Sequence, residues 1–574
     1  RMDARGKTLL KLDEAGLRKV AKELLAAKVE AVAVGFLHSY VNPAHEIRAG
    51  KILRSILGSV PISLSHQVSG EMREYERFST TCANAYVQPK MAGYLERLSR
   101  ELKARGFNCP LLLMQSGGGL TTVQTSMDFP IRLVESGPAG GAIFSAHVAA
   151  QCGLDNVLSF DMGGTTAKVC LIDHAKPQTS RTFEVAREYR FKKGSGLPLR
   201  IPVIEMVEIG AGGGSIARLD KLGRITVGPD SAGSEPGPAC YGRGGKDVAV
   251  TDADVLLGRI DADNFAGGRI KLDRKASANA AANSVGNALK IGPEIAAYGI
   301  AEIVDENMAS AARVHAIESG KDVTDYTMIA FGGAAPLHVG RIAEKLNVAR
   351  FIVPSGAGVG STLGFLRAPV AYEIVRSFPA MLDSFDLAAV NRTLDEMRDE
   401  AREVVAKAAL GGKLVEQRLA FMRYVGQGHE IPVPLPARTL RAGDVAELRK
   451  AFDKLYGQIY SRAIPDRAVE ILTWALTVGT ETKKVSAVRD PRGGRTAKPD
   501  SMRQIFDPAK EDWIKVPVYE RDNLSKGDKV KGPAVIVERE TSTFLPKGYD
   551  AVINGLGYID CRRVASPARI GGRA

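Results

Sequence analysis

A layered α/β architecture, divided among several domains, is expected from the sequence on three grounds. Stretches with Leu and Ala at helical spacing alternate with short apolar runs: 13–30, 31–37, 43–57 and 62–64. Such alternation of amphipathic helix and buried strand builds α/β layers. Several apolar runs also empty directly into glycine-rich loops, as at Gly117-Gly118-Gly119, Gly163-Gly164 and Gly332-Gly333. Finally, 574 residues exceed what one hydrophobic core supports, so roughly two to four domains are expected.

In chain order, the charged run 71–77 leads into a helix over 82–105, interrupted at Pro89. Such runs are usually solvated helix faces with internal ion pairs. A strand at 110–114 precedes the loop 115–119. The loop Ser136-Gly137-Pro138-Ala139-Gly140-Gly141 opens a helix reaching about Cys152. A glycine-rich entry to a helix N-terminus suits an anion, although glycine also serves plain tight packing. Residues 201–255 are turn-rich and hold the densest glycine cluster, Gly210-Ala211-Gly212-Gly213-Gly214. Asp252 and Asp254 follow, with helix capping their default role. A helical pattern covers 276–318, a strand 326–331 and another 351–353. Helices at 384–412 and 443–458 belong to a further layer. From about Arg489 the composition turns to Pro, Gly, Lys and Arg, then to short strands, marking a linker and a β-rich close. The segments so defined are 1–150, 151–380, 381–488 and 489–574.

Composition narrows the function. Hydrophobic residues at 45% and charged ones at 25% are ordinary for a globular chain. The net charge of +13 is spread along the chain and aromatics are only 6%. That favours anionic small substrates or an acidic partner over nucleic acid. The six cysteines are widely spaced and form no CxxC pair, which points to reduced thiols in a cytosolic, cytoplasmic protein. No run of about 20 apolar residues predicts a membrane span.

The stretch with the most chemistry is Leu158-Ser159-Phe160-Asp161-Met162-Gly163-Gly164-Thr165-Thr166-Ala167-Lys168-Val169. It reads as a β-hairpin whose glycines permit the positive φ of a tight turn. Turn N–H groups and the hydroxyls of Thr165 and Thr166 suit phosphate oxygens, and Asp161 suits a hydrated cation. From these residues alone a plain hairpin with a satisfied Asp at its mouth is the favoured reading.

Other motifs occur with it in a fixed order. They are His38-Ser39-Tyr40 with Asn42-Pro43, the Gly210 to Ser215 loop, Asp230-Ser231-Ala232-Gly233 to Tyr241-Gly242, Phe331-Gly332-Gly333-Ala334-Ala335-Pro336-Leu337-His338, and Lys531-Gly532-Pro533-Ala534. Together they resemble the hydantoinase A / 5-oxoprolinase family over nearly the whole chain. The resemblance implies the lobes of an actin/sugar-kinase/Hsp70-like ATPase, with ATP and Mg²⁺ in a cleft between them and a small C-terminal β-rich module. It assigns Asp161 to Mg²⁺ or water orientation, and Thr165 and Thr166 to the γ-phosphate. Gly163 and Gly164 become the second phosphate hairpin, Gly332 and Gly333 the adenosine turn, and Gly210, Gly212, Gly213 and Gly214 a further nucleotide loop. His338 stays outside the catalytic set.

The activity implied is ATP-dependent phosphorylation of a cyclic amide for ring opening with a hydantoinase B-like subunit. A ketone carboxylase subunit and a non-catalytic nucleotide-binding scaffold are the alternatives. The family's first phosphate hairpin is missing from residues 1–157, so a separate polypeptide or a longer chain is expected to supply it. Lys168 stands where many relatives of this ATPase group carry an acid, and no acidic role is assigned there.

Overall fold

The apolar runs flanking the Asp161 motif form adjacent antiparallel strands, Asn156–Met162 and Ala167–Asp173, in a computed structural model that describes residues 1–188, 194–384, 386–483, 485–491 and 493–564. Both belong to a nine-stranded mixed sheet. Its middle is parallel: Thr327–Phe331 runs between Asn156–Met162 and Arg350–Val353 in the same direction. Central parallel strands are covered on both faces and read as continuous apolar runs. Here Val157, Leu158, Phe160, Met328, Ile329, Phe331, Phe351 and Ile352 are all buried. Helix Ala335–Lys345 packs against Thr327–Phe331 and Arg350–Val353. The helix ending at Cys152 sets Phe144 edge-on to Phe331, with ring centroids 5.6 Å apart.

The three parallel strands end at one edge, where Gly163, Gly332 and Gly356 begin or follow the turns. Ligands of open α/β sheets collect at this carboxyl edge.

The chain divides into two units, each assembled from three stretches. One comprises 1–139, 179–203 and 368–483; the other comprises 140–178, 204–367 and 484–574. The contiguous segments read from the sequence partition the chain differently, because 368–483 belongs with the N-terminal stretch. In that first unit, antiparallel strands Ala371–Met381, Val469–Thr480, Leu414–Tyr424 and Ile431–Leu435 form one sheet. Helices Leu387–Ala406 and Asp444–Tyr460 supply apolar residues to its core around Trp474, Tyr424 and Phe452.

The β-rich C-terminal stretch is not a free-standing module. Ser501–Asp507, Asp512–Glu520, Ala534–Val537 and Ser542–Leu545 make a four-stranded sheet with its own core of Ile505, Val516, Val518, Val535 and Val537. Strands Lys529–Lys531, Tyr549–Ile553 and Ile559–Arg563 instead extend the nine-stranded sheet beyond Arg350–Val353. Short alternating strands carry no local signal of which sheet they join, since pairing is decided by tertiary contacts.

Two further expectations are corrected. Pro89 does not interrupt its helix, which runs unbroken from Glu74 to Ala104. Proline removes one backbone hydrogen bond, but tertiary bonds hold the helix through it. Asn84 Nδ2 donates to Ser63 Oγ at 3.0 Å and to the Asp128 carbonyl at 3.1 Å, and Gln88 Nε2 donates to the Met127 carbonyl. The charged run 71–77 is also not simply solvated, because Glu71 and Arg77 are buried. Arg77 Nη2 donates to the Phe36 carbonyl at 2.8 Å, and its guanidinium lies over the Tyr40 and Phe78 rings. Truncating a buried charge in such a setting removes both packing and its partners' compensation. Arg77→Ala is therefore expected to cost about 3 kcal/mol, read from the urea midpoint of the transition that unfolds this unit. A cost within about 0.5 kcal/mol would mean the side chain is solvated after all.

Candidate functional site

Three glycine segments meet at the carboxyl edge of the nine-stranded sheet. The first is the loop Gly163-Gly164-Thr165-Thr166 that closes the Asp161 hairpin; it is tied by Gly163 N–H donating to the Thr166 carbonyl at 3.2 Å. Neither glycine takes a positive φ, so the expected left-handed turn is corrected. What these positions need is space: a Cβ on Gly163 or Gly164 would meet nothing within 4 Å, and both border a cavity.

The second segment is the 210–214 loop, which lies against the hairpin backbone. Gly213 and Gly214 N–H donate to the Gly163 and Gly164 carbonyls at 3.0 and 2.6 Å. A Cβ on Gly212 would sit 2.8 Å from the Gly163 oxygen and from the carbonyl carbons of Gly164 and Thr165. Glycine is required here for backbone to touch backbone.

The third is Gly332-Gly333. Gly332 does take a left-handed conformation, φ 95°, and its Cβ would fall 2.4 Å from the Met162 carbonyl and 2.7 Å from Asp161 Oδ1. Ala334 N–H donates to the Met162 carbonyl at 3.0 Å, locking this turn beneath the hairpin. The N–H groups of Gly164 and Gly333 have no backbone acceptor among the described residues.

The shared cavity holds about 350 Å³, at the small end of ligand sites. Of the residues expected at the site, Gly163, Gly164, Gly213 and Gly333 line it directly. Asp161, Gly210, Gly212, Gly214 and Gly332 lie behind or beside that lining. Asp161 is half-buried and its Oδ2 accepts from Ser361 Oγ at 3.1 Å. Burial raises its pKa, with the Ser361 hydrogen bond and the Lys168 charge opposing. Thr165 is exposed, and Thr166 Oγ1 accepts from Lys168 Nζ at 2.6 Å. Lys168 also pairs with Glu208 at 3.1 Å, so it is bound to the hairpin and its neighbouring strand.

Other cavity residues went unread in the sequence. The turn 538–542 forms one wall, and Thr541 Oγ1 donates to the Gly333 carbonyl at 2.9 Å. Tyr241, Thr251 and Asp254 contribute from the turn-rich stretch, and Phe265 and Arg269 from the residues that follow it. No motif marks the 538–542 turn, because its role arises only when its sheet docks.

Asp252 and Asp254 prove unlike. Buried Asp252 accepts from the Ala249, Ala239 and Cys240 N–H groups and from Ser277 Oγ, so it caps its helix and ties a loop to it. Asp254 caps nothing. Its Oδ2 lies 3.1 Å from His338 Nε2, while His338 Nδ1 lies 2.8 Å from Asp305 Oδ1. Burial opposes charge on His338, but the flanking Asp254 and Asp305 carboxylates outweigh it and push the imidazole up to about 10. Burial likewise opposes ionisation of Asp254, and His338 and Arg259 overcome it to hold that carboxyl below its ordinary value. The result is a charged bridge beneath the cavity wall.

These features make a cavity of closely apposed backbone, with spare N–H donors on two separate turns. The chain belongs to the hydantoinase/oxoprolinase family. The hydantoinase/oxoprolinase model matches residues 77–374, the C-terminal domain model 385–563 and the N-terminal region model 1–57. The chain is similar to caprolactamase subunit alpha of Pseudomonas jessenii, at 34% identity over 94% of this chain and 77% of the relative. It is also similar to the acetophenone carboxylase gamma subunit of Aromatoleum aromaticum, at 30% identity over 99% of this chain and 79% of the relative. The crystal structure of ATP-dependent caprolactamase from Pseudomonas jessenii superposes with TM-score 0.83 at 32% identity, covering 98% of this chain and 81% of that one. Among the described residues no helix is long and apolar enough to cross a membrane.

Two outcomes follow from this geometry. Gly332→Ala forces a Cβ into the Met162 carbonyl and is expected to cost about 2 kcal/mol or more. Gly164→Ala changes stability by no more than about 0.5 kcal/mol, and thermal unfolding of the two variants separates them. His338 supplies a pH signature. Its pKa rises from 6.5 to about 10 on folding, so its contribution is complete below about pH 6.5 and is lost as pH climbs through 10. Stability of the wild type should therefore fall more steeply between pH 7 and 10 than that of His338→Gln, and parallel curves would refute the bridge.

Proposed function

We propose that the glycine-lined cavity binds the phosphate chain of ATP and that the protein phosphorylates a cyclic amide, preparing its ring for opening by a partner subunit. The observation that carries this reading is the pair of N–H groups on Gly164 and Gly333, without backbone acceptors among the described residues and bordering one cavity. Backbone donors of this kind are what phosphate oxygens require. The unit holding them is read as a lobe of an actin/sugar-kinase/Hsp70-like ATPase.

Among the described residues no group of three or more His, Cys, Asp or Glu forms a metal cage. That suits Mg²⁺, which keeps most of its water and leans on one or two carboxylates plus phosphate. Asp161 would hold the hydrated ion, whose chemistry is to neutralise charge on the transferring phosphoryl group. Thr165, exposed at the loop, would donate to the γ-phosphate, and Thr166 would do so while accepting from Lys168. The protein's contribution to such a transfer is placement and charge neutralisation.

The chemical logic is that amide resonance protects the ring C–N bond. Transfer of the γ-phosphoryl group to the amide oxygen forms an O–P bond, breaks the bond to the ADP leaving group and removes that resonance. A hydantoinase B-like subunit would then add water to the activated carbon. The adduct breaks its ring C–N bond as the nitrogen takes a proton, and the acyl phosphate so formed takes a second water and releases inorganic phosphate. Similarity to a caprolactamase alpha subunit supports a cyclic amide as the substrate class. Similarity to a carboxylase subunit supports a second reading, in which the same phosphorylation activates a ketone.

Asp161→Asn in the full assembly is expected to lower ATP turnover by at least about a hundredfold with thermal unfolding unchanged. Retention of full turnover would overturn the assignment. ATP turnover that requires bicarbonate would favour the ketone reading over the cyclic amide.

A further inference from the structure

Along its first turns the helix Glu74–Ala104 sets polar side chains inward and aromatic ones outward. Arg77, Thr80 and Asn84 are buried. Arg77 donates to the Phe36 carbonyl, Thr80 Oγ1 accepts from the Arg200 N–H at 2.8 Å, and Asn84 donates to the Asp128 carbonyl. Tyr75, Cys82 and Tyr86 face outward instead, Tyr75 being 66% and Tyr86 87% exposed. A surface helix ordinarily keeps its apolar stripe for the core. Apolar side chains gathered on an open face mark an interaction site.

Beside Tyr75, Cys82 and Tyr86 runs a groove of about 700 Å³, lined also by Val185, Leu197 and Leu199 of the paired strands Phe183–Val185 and Leu197–Leu199. Its lining is almost wholly apolar. Every one of these residues lies in the unit formed by 1–139, 179–203 and 368–483. Charge then continues the stripe. Tyr75, Cys82, Tyr86, Lys90, Arg97 and Arg100 follow one another three, four or seven residues apart, so they share one face of the helix. The three cations are exposed. The helix's ion pairs join Arg77 to Glu74 and Glu76 to Arg200, and leave Lys90, Arg97 and Arg100 without an acid among the described residues. Glu96 and Glu101 stand to either side of the stripe.

This pattern selects its occupant. A small apolar molecule would fill the groove and leave the cations unanswered. A second copy of this chain, pairing through the same face, brings no acid on the stripe to meet them, and like charges set together oppose association. A different polypeptide with apolar and acidic side chains in sequence satisfies both parts. We propose that this face docks the partner subunit, through a segment that sets a large apolar side chain into the groove beside Cys82 and Tyr86 and acidic ones against Lys90, Arg97 and Arg100. The proposal rests on the partner invoked in the cyclic-amide reading and uses nothing of the glycine-lined cavity. Two relatives of the chain are themselves named as subunits.

The test treats the native complex with its partner subunit, and the chain alone, with N-ethylmaleimide. Cys82 lines the groove, whereas Cys109 is exposed outside it, so peptide masses give one rate against the other. Relative to Cys109, Cys82 is expected to react at least about tenfold more slowly in the complex than in the free chain, because a packed interface excludes solvent. Tyr86→Asp is expected to weaken association at least about tenfold, with the unfolding temperature of the free chain unchanged. Equal relative reactivity of Cys82 in the two samples would overturn the proposal and leave the function reading intact. So would a folded Tyr86→Asp chain that assembles as the wild type does. Cys82 unreactive in the free chain would show the groove filled by the chain itself, and slowing that grows with the free chain's own concentration would show a second copy there; each overturns the proposal. A chain that binds no second polypeptide overturns it together with the partner reading. Protection of Cys82 in a complex that turns over no ATP would uphold this surface and sink the function.

Discussion

Backbone lying directly on backbone is the constraint from which the candidate site follows. The Gly332 turn sits under the Met162 carbonyl, and the 210–214 loop sits on the hairpin that Met162 leads into. No side chain fits at Gly332 or Gly212, so the three segments are fixed by main-chain hydrogen bonds rather than by rotamers. A site made this way is stiff and presents N–H groups whose directions do not depend on side-chain packing. Gly163 and Gly164 answer a different need, keeping open the space into which those groups look.

The surroundings reinforce that stiffness from separate parts of the chain. Asp252 caps a helix and pins the loop at Ala239 and Cys240. Asp254 leaves the neighbouring position of the same helix for His338, which in turn reaches Asp305. A buried imidazolium between two carboxylates costs desolvation that only good geometry offsets, so this bridge fixes the relative placement of three helices beneath the cavity wall. Far along the chain, Thr541 closes on the Gly333 carbonyl.

What could be read in the sequence was local. The strand at 62–64 and the helices beginning near Ala44 and Asp444 have periodicity that survives folding, and the glycine turns after Phe331 and Met162 announce themselves as strand ends. What could not be read depended on distant partners. Glu71 and Arg77 look solvated until Arg181 and the Phe36 carbonyl are placed beside them. Pro89 looks like a break until Asn84 and Gln88 find their acceptors. The polar row that Glu373, Thr477 and Gln417 make across three paired strands is drawn from strands about forty to sixty residues apart, so no local window contains it. The discontinuous units have the same origin, since contact across the chain rather than along it defines them.

The nucleotide reading is best judged by where a nucleotide actually attaches. Photolabelling with 8-azido-ATP in the presence of Mg²⁺, followed by peptide mapping, should place the label within 163–164, 213, 241–269, 333–337 or 537–542, the segments that wall the glycine-lined cavity. It should also be blocked by excess ATP. Competable label confined to peptides outside those segments would contradict the account.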